Sequence, residues 1–201
     1  MPPGPRMPQR SAVVVTGLDY WRRPARQGAQ HRMSDALTFV PLKAAGLHAL
    51  TAGNLAEASR ITGFDLPEEY LEHAWLWEMR SLQLEDEPAD EEWVAWIVAR
   101  ADDRTVIGRS GFHARPNEVG MVELSYTVLP QYRRRGYAGQ ILRQLVSFAR
   151  EHPAVRILRA TVSPDNAASL ATLSKFPFVH VGDQMDEIDG LELVFELEVE
   201  S

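Results

Sequence analysis

The segment from Val122 to Arg150 constrains this chain more than any other. Val122-Glu123-Leu124-Ser125-Tyr126-Thr127-Val128-Leu129 reads as a strand, stops at Pro130, and turns through Arg133-Arg134-Arg135-Gly136. It then opens at once into a helical pattern, with Ala138, Ile141, Leu142, Leu145 and Ala149 on one face. The start of such a helix exposes unpaired backbone N–H groups and the positive end of the helix dipole. Glycine at 136 lets the backbone approach a ligand closely, and three consecutive arginines supply cationic side chains suited to phosphate. The segment is therefore a natural pyrophosphate site. Neither the GxGxxG dinucleotide fingerprint nor a GxxxxGK phosphate loop is present, so the turn is of another kind. The plainer alternative is a surface helix beginning beside a solvated arginine cluster.

At 201 residues the chain suits one domain with a sizeable core. It has no cysteine, which excludes disulfides, thiolate metal sites and a cysteine nucleophile. No apolar run approaches the ~20 residues of a membrane-spanning helix. Ala12-Val13-Val14-Val15 is too short for a secretory leader. The expectation is a cytoplasmic protein without membrane, metal or nucleic-acid partners, monomeric or homodimeric. The net charge of −7 is uneven: residues 1–33 carry +5 and the remainder −12. An acidic body disfavours nucleic acid, whose binding depends on cationic contacts to phosphate, and mildly favours a cationic substrate such as an amine.

Residues 1–33 are rich in proline and arginine without periodicity, and read as a disordered basic extension; a sharper version starts translation at Met33. From residue 34 the pattern is that of one domain. A strand over 36–42 is expected first, then two short helices over 42–61 broken at Gly53-Asn54. Pro67 with Glu68 and Glu69 starts a third helix, apolar at Leu71, Trp75, Leu76, Met79 and Leu82, which ends at Pro88. Strands over 93–99, 105–113 and 119–129 form an antiparallel meander. A helix over 136–151, a strand over 155–162, a helix over 165–176 and two closing strands over 178–181 and 191–199 complete the chain.

Two blocks carry a family resemblance. Arg133-x-x-Gly136-x-Ala138 resembles the (Gln/Arg)-x-x-Gly-x-(Gly/Ala) signature of the GCN5-related N-acetyltransferases. Asn166-Ala167-Ala168-Ser169 and Lys175-Phe176-Pro177-Phe178 resemble the second motif of that family, in the expected order. The resemblance spans roughly 36–199, and the Asn-x-x-Ser variant is similar to the branch of ribosomal-protein alanine N-acetyltransferases. It implies an α/β fold with a mixed, mostly antiparallel central sheet of about seven strands flanked by helices. It also implies acetyl-CoA as cosubstrate and direct acetyl transfer to a primary amine in a ternary complex. A non-catalytic acyl-CoA-binding module on the same fold is the alternative.

By this resemblance the backbone of Tyr126, Thr127 and Val128, on a bulged strand, pairs with the pantetheine arm. Arg133, Arg134, Arg135, Gly136, Tyr137, Ala138 and Gly139 hold the pyrophosphate. Asn166 contacts the pantetheine or, as the plainer reading, caps a helix. Amide formation needs a proton removed from the ammonium and an N–H donor for the oxyanion, here a backbone group near Val128. Glu123, between Val122 and Leu124, is the expected base; the alternative is a carboxylate facing solvent or paired with Arg109. His113 is the second candidate base. Leu173 stands where many members carry the tyrosine that protonates the departing thiolate, so Ser169 or Tyr126 would take that role. Trp75, Trp77, Trp93 and Trp96 read as core in preference to a pocket floor. Glu85, Asp86, Glu87 and Asp90 read as a solvated helix end.

Overall fold

A computed structural model describes residues 36–188 and 190–199. The extension expected over 1–33 lies outside the described residues. Seven strands form one sheet in the order β1-β2-β3-β4-β5-β7-β6. They are β1 (Leu37–Pro41), β2 (Trp96–Arg100), β3 (Val106–Phe112), β4 (Met121–Val128), β5 (Ile157–Val162), β6 (Val179–Asp186) and β7 (Gly190–Glu198). Among the described residues only β4 and β5 run parallel, joined by a crossing helix as parallel neighbours require. Every other pairing is antiparallel. The mixed sheet expected from the sequence is the sheet observed.

The helices are α1 (Ala44–Thr51), α2 (Leu55–Thr62), α3 (Ala74–Asp86), α4 (Tyr137–Glu151) and α5 (Ala167–Leu173). Asn54 caps α2 by accepting from the Glu57 N–H at 3.0 Å, and Gly53 and Gly63 end their helices with φ of 71° and 70°. The apolar stripe of α4 buries Ile141, Leu142, Leu145, Val146 and Ala149, as its spacing predicts. Ala138 is only partly buried and lies at the open end of the helix.

Both faces of the sheet are covered. Phe148 on α4 packs against Trp96 and Phe112 with ring centroids 5.1 and 5.5 Å apart. On β3, strand alternation places Arg109 on the face opposite Phe112. There Tyr70 stacks on Trp77 at 5.4 Å and donates its hydroxyl to the Gly108 carbonyl at 2.9 Å. Trp77, Trp93 and Trp96 are core, whereas Trp75 is 57% exposed.

Two expectations are corrected. The helix starting at Pro67 is split into a 3-10 segment, Glu68–His73, and α3. A 3-10 turn has three residues per turn, so it resets the phase of the helix after it. The buried face of α3 is therefore Trp77, Arg80, Ser81 and Leu84, while Trp75, Met79 and Leu82 face outward. The sixth strand is also longer than 178–181. It runs to Asp186 and turns tightly into β7, a pairing that polar Asp183 and Gln184 conceal in the sequence.

Gly108 allows β3 to lie close to β4, because a side chain there would begin 2.2 Å from the Thr127 carbonyl oxygen. Gly108→Ala is expected to push the two strands apart and destabilise the fold by about 1–3 kcal/mol. A thermal melt followed by circular dichroism checks this, and an unchanged midpoint would refute it.

Candidate active site

The site begins where two strands part. β4 pairs with β5 only over Met121, Val122 and Glu123, whereas its pairing with β3 runs on from Leu124 to Val128. Beyond Glu123, β5 continues on β7 through Val162. Among the described residues, the edge of β4 over Leu124–Val128 thus has no strand beside it on the β5 side. The expected bulge in β4 is not what opens this edge: its register with β3 is continuous, and the register shift in this part of the sheet falls in the β2–β3 pair at Val98/Ala99.

At the end of β4 the chain makes a 3-10 turn at Pro130–Tyr132 and enters α4. Arg134 and Gly136 take left-handed φ values of 59° and 83°. For Gly136, the residue before the helix, this conformation costs little. Among the described residues no side chain caps α4, and the first bond in the helix runs from the Gln140 N–H to the Gly136 carbonyl at 3.3 Å. The N–H groups of Tyr137, Ala138 and Gly139 therefore have no helical acceptor. Apart from the adjoining residues and the helix's own backbone, no atom of the described residues lies within 4 Å of the point where a side chain would start at Gly136 or Gly139.

This helix start opens on a cleft of about 670 Å³ lined by Thr127, Val128, Arg133, Arg134, Gly136 and Asn166, with Tyr137, Ala138, Gly139 and Ser169. Arg133 is tied down by donating Nε to the Val128 carbonyl at 3.0 Å. Arg135 is not in the lining; its guanidinium lies 5.6 Å from the centre of the Tyr132 ring. Lys175 lines the opposite wall, a cation that no sequence pattern singles out for this role. Asn166 is the N-cap of α5, accepting from the Ser169 N–H at 3.1 Å. The cap uses only the side-chain oxygen, and the amide nitrogen is a separate donor.

Two further clefts meet this one at Tyr126. One, about 430 Å³, is lined by His113, Ser125, Thr161, Asn166, Ser169 and Glu192. The other, about 370 Å³, lies toward α3 and is lined by Trp75, Trp77, Arg80, Arg109, Ser110 and His113. Tyr126 lines all three. Its hydroxyl is buried beside Ser169 and Thr172 but engages neither in a well-formed hydrogen bond. Burial raises its pKa above the ordinary tyrosine value, and the two neighbouring hydroxyls only partly offset that.

Glu123 sits at the last paired position of β4. Its Oε1 accepts from the Thr161 hydroxyl at 2.6 Å and lies 3.6 Å from Nδ1 of His113. Its side chain is 18% exposed. Arg109 is not its partner: among the described residues no carboxylate pairs with Arg109, whose guanidinium lies over Trp77 at 5.6 Å. His113 is packed about by protein yet still 49% exposed, as a group at the mouth of a cleft is. Burial lowers its pKa, Arg80 adds to the lowering, and Glu123 and Glu192 oppose it. Its carbonyl is held by Arg80 at 2.8 Å and Gln83 at 2.9 Å.

Asp90 is not part of a solvated helix end. It is 3% exposed and bonds Gln83 at 2.7 Å and Arg115 at 3.2 Å. Glu85, Asp86 and Glu87 are exposed, as the sequence suggests.

Comparisons with known proteins show the family and the fold. Residues 36–179 match the acetyltransferase (GNAT) domain, and the chain belongs to that family. The uncharacterized N-acetyltransferase YjdG of Bacillus subtilis (strain 168) is 31% identical over 85 residues, covering 42% of this chain and 51% of that protein. YoaA of the same organism is 30% identical over 89 residues, covering 44% and 50%. The chain thus spans about half the length of the curated relatives it matches.

Among solved structures, the ribosomal-protein-S5-alanine acetyltransferase from Vibrio fischeri superposes with a TM-score of 0.56 at 12% identity, over 83% of this chain and 97% of that one. The spermidine N-acetyltransferase from Vibrio cholerae, solved in complex with CoA and spermine, gives 0.56 at 16% identity, over 81% and 95%. At such identities the likeness is one of fold.

The His113 imidazole is expected to titrate below 6.5, and Glu123→Gln should move the midpoint lower still, because the carboxylate favours the protonated ring. Folding that lowers this pKa leaves the unfolded chain binding the proton more tightly. Stability is therefore lost as pH falls from about 6.5 toward the folded midpoint. NMR titration of the ring protons checks the shift; a midpoint unmoved or raised by the substitution would refute the pairing.

Proposed function

We propose that the protein transfers an acetyl group from acetyl-CoA to a primary amine by direct attack in a ternary complex. One observation carries the reading: a strand edge left open from Leu124 to Val128 leads straight into an uncapped helix start. An extended pantetheine arm fits such an edge as an added strand. A pyrophosphate fits the free N–H groups of Tyr137, Ala138 and Gly139 beside Arg133 and Arg134. Lys175 adds a cation from the far wall, and Asn166 offers its side-chain amide. Arg135 is assigned no ligand contact, since it lies outside the lining.

When bound, acetyl-CoA supplies an acetyl group activated as a thioester. The rest falls to this chain. Glu123 takes the proton of the incoming ammonium, oriented by the Thr161 hydroxyl. His113, held neutral by burial, stands between Glu123 and solvent. A backbone N–H of β4 near Val128 faces the developing oxyanion. Tyr126 donates the proton to the departing sulfur; its buried hydroxyl, kept protonated, supports this over Ser169, whose place beside it is secondary. Leu173, 3% exposed, is simply core, so the missing helix tyrosine is replaced from the strand. Protein N-termini and small amines are the acceptor classes to be tried first.

Glu123→Gln is expected to lower turnover about 10²–10⁴-fold with little change in acetyl-CoA affinity, as loss of a general base does. Thiol release measured across a panel of amines and N-terminal peptides, beside isothermal titration, reads both quantities. An unchanged rate would remove Glu123 as base. Binding without thiol release from any amine would instead identify an acyl-CoA-binding module.

Gly139→Val is expected to weaken acetyl-CoA binding without the backbone strain that substitution at Gly136 (φ 83°) carries. Undiminished affinity in the same titration would place the pyrophosphate elsewhere.

A further inference from the structure

The cleft toward α3 bears on what the acceptor is. Among the described residues Arg109 has no carboxylate partner; its neighbours are the aromatic and imidazole groups of Tyr70, Trp77 and His73. Arg80, also in this wall, is compensated differently: it is 7% exposed and connects through Gln83 to Asp90. The body of the cleft is apolar, with Trp75 and Met79 57% and 42% exposed at its rim. Asp186 also lines the mouth, where it accepts from the Ile188 N–H.

Position along the strands sets the length of what fits. Arg109 stands directly across from Thr127, one residue along β4 from Tyr126, where the three clefts meet. Glu123 and His113 lie on the other side of that junction. The cleft thus holds His113, backed by Glu123 at 3.6 Å, toward one end, and toward the other a guanidinium that has no carboxylate partner among the described residues. A guanidinium over an aromatic face is suited to receiving a carboxylate in its fork. A polyamine would bring more positive charge to a wall that already holds two arginines.

We propose that this cleft selects an amine bearing a carboxylate and an apolar or aromatic body, a free apolar amino acid in the simplest case, with Arg109 receiving the carboxylate. The proposal rests on acetyl transfer occurring at Tyr126, and its test separates the two. Thiol release by the full chain is compared for L-phenylalanine, L-methionine, L-phenylalaninamide and spermidine. Binding of N-acetyl-L-phenylalanine is followed separately through tryptophan fluorescence, since Trp75 and Trp77 line the cleft.

The acids should exceed the amide and spermidine in kcat/KM by about tenfold or more, the weight of one charged hydrogen bond. Arg109→Gln should erase that preference while leaving acetyl-CoA affinity unchanged, and Arg109→Lys should retain part of it. Equal use of acid and amide, a preference for spermidine, or a preference that survives Arg109→Gln in a folded variant overturns the proposal and leaves acetyl transfer standing. Arg109-dependent binding of N-acetyl-L-phenylalanine without turnover of any amine upholds the cleft and sinks the transfer reading. Absence of both overturns the cleft as well.

Discussion

The parting of β4 from β5 after Glu123 is the constraint on which the rest depends. It has identifiable causes on each side. β4 is held to β3, where Gly108 permits close approach and the Leu129 N–H continues the ladder to Ile107 at 2.9 Å. β5 is held to β7, where Arg159 donates to Glu196 at 2.6 Å across the pair. Each strand keeps to its own neighbour, and the sheet opens between them. A backbone edge without partners is costly in a core, but here it faces a cleft where solvent or a ligand can satisfy it. The same divergence brings the Tyr126 hydroxyl to α5 and leaves Glu123, the last paired residue, at the apex.

A second framework fixes the acceptor side. Arg80 and Gln83, one turn apart on α3, both donate to the His113 carbonyl, and Gln83 also reaches Asp90, which binds Arg115. The network ties α3 to the end of β3, and so sets the position of the imidazole against Glu123. Buried charges of this kind add little net stability over apolar packing, but they fix geometry because any other arrangement leaves a charge unpaired. The exposure of Trp75 and Met79 has the same origin. Turning Arg80 and Ser81 inward turns those apolar side chains toward the cleft.

What was legible in the sequence was local. Proline, arginine, glycine and an apolar stripe succeed one another within a few residues, so the strand, turn and helix from Val122 to Arg150 are legible there, though the bulge expected in the strand is not found. The meander read correctly for the same reason. The face of α3 did not, because a 3-10 turn leaves no compositional mark yet shifts the phase of every residue after it. The length of β6 was hidden because an edge strand can be polar on both faces. Asn166 read as either ligand contact or cap, and it is the cap; the two roles use different atoms of one amide. Partnerships across long separations, such as Glu123 with Thr161, or Tyr126 with Ser169 and Thr172, have no local signature.

Charge shows the same division between long and short range. The −12 carried beyond residue 33 argues for a cationic substrate, and at distances beyond the Debye length of about 8–10 Å it acts only as a weak, screened attraction. Inside a cleft the nearest group decides, since Coulomb energy rises as separation falls and screening water is excluded. The residues flanking Tyr126 are not uniformly acidic: Glu123 lies on one side and Arg109 on the other. The two scales are compatible for a zwitterion. On the reading proposed above, an acidic surface draws in the ammonium end, Glu123 receives its proton, and Arg109 meets the opposite charge that a polyamine does not carry.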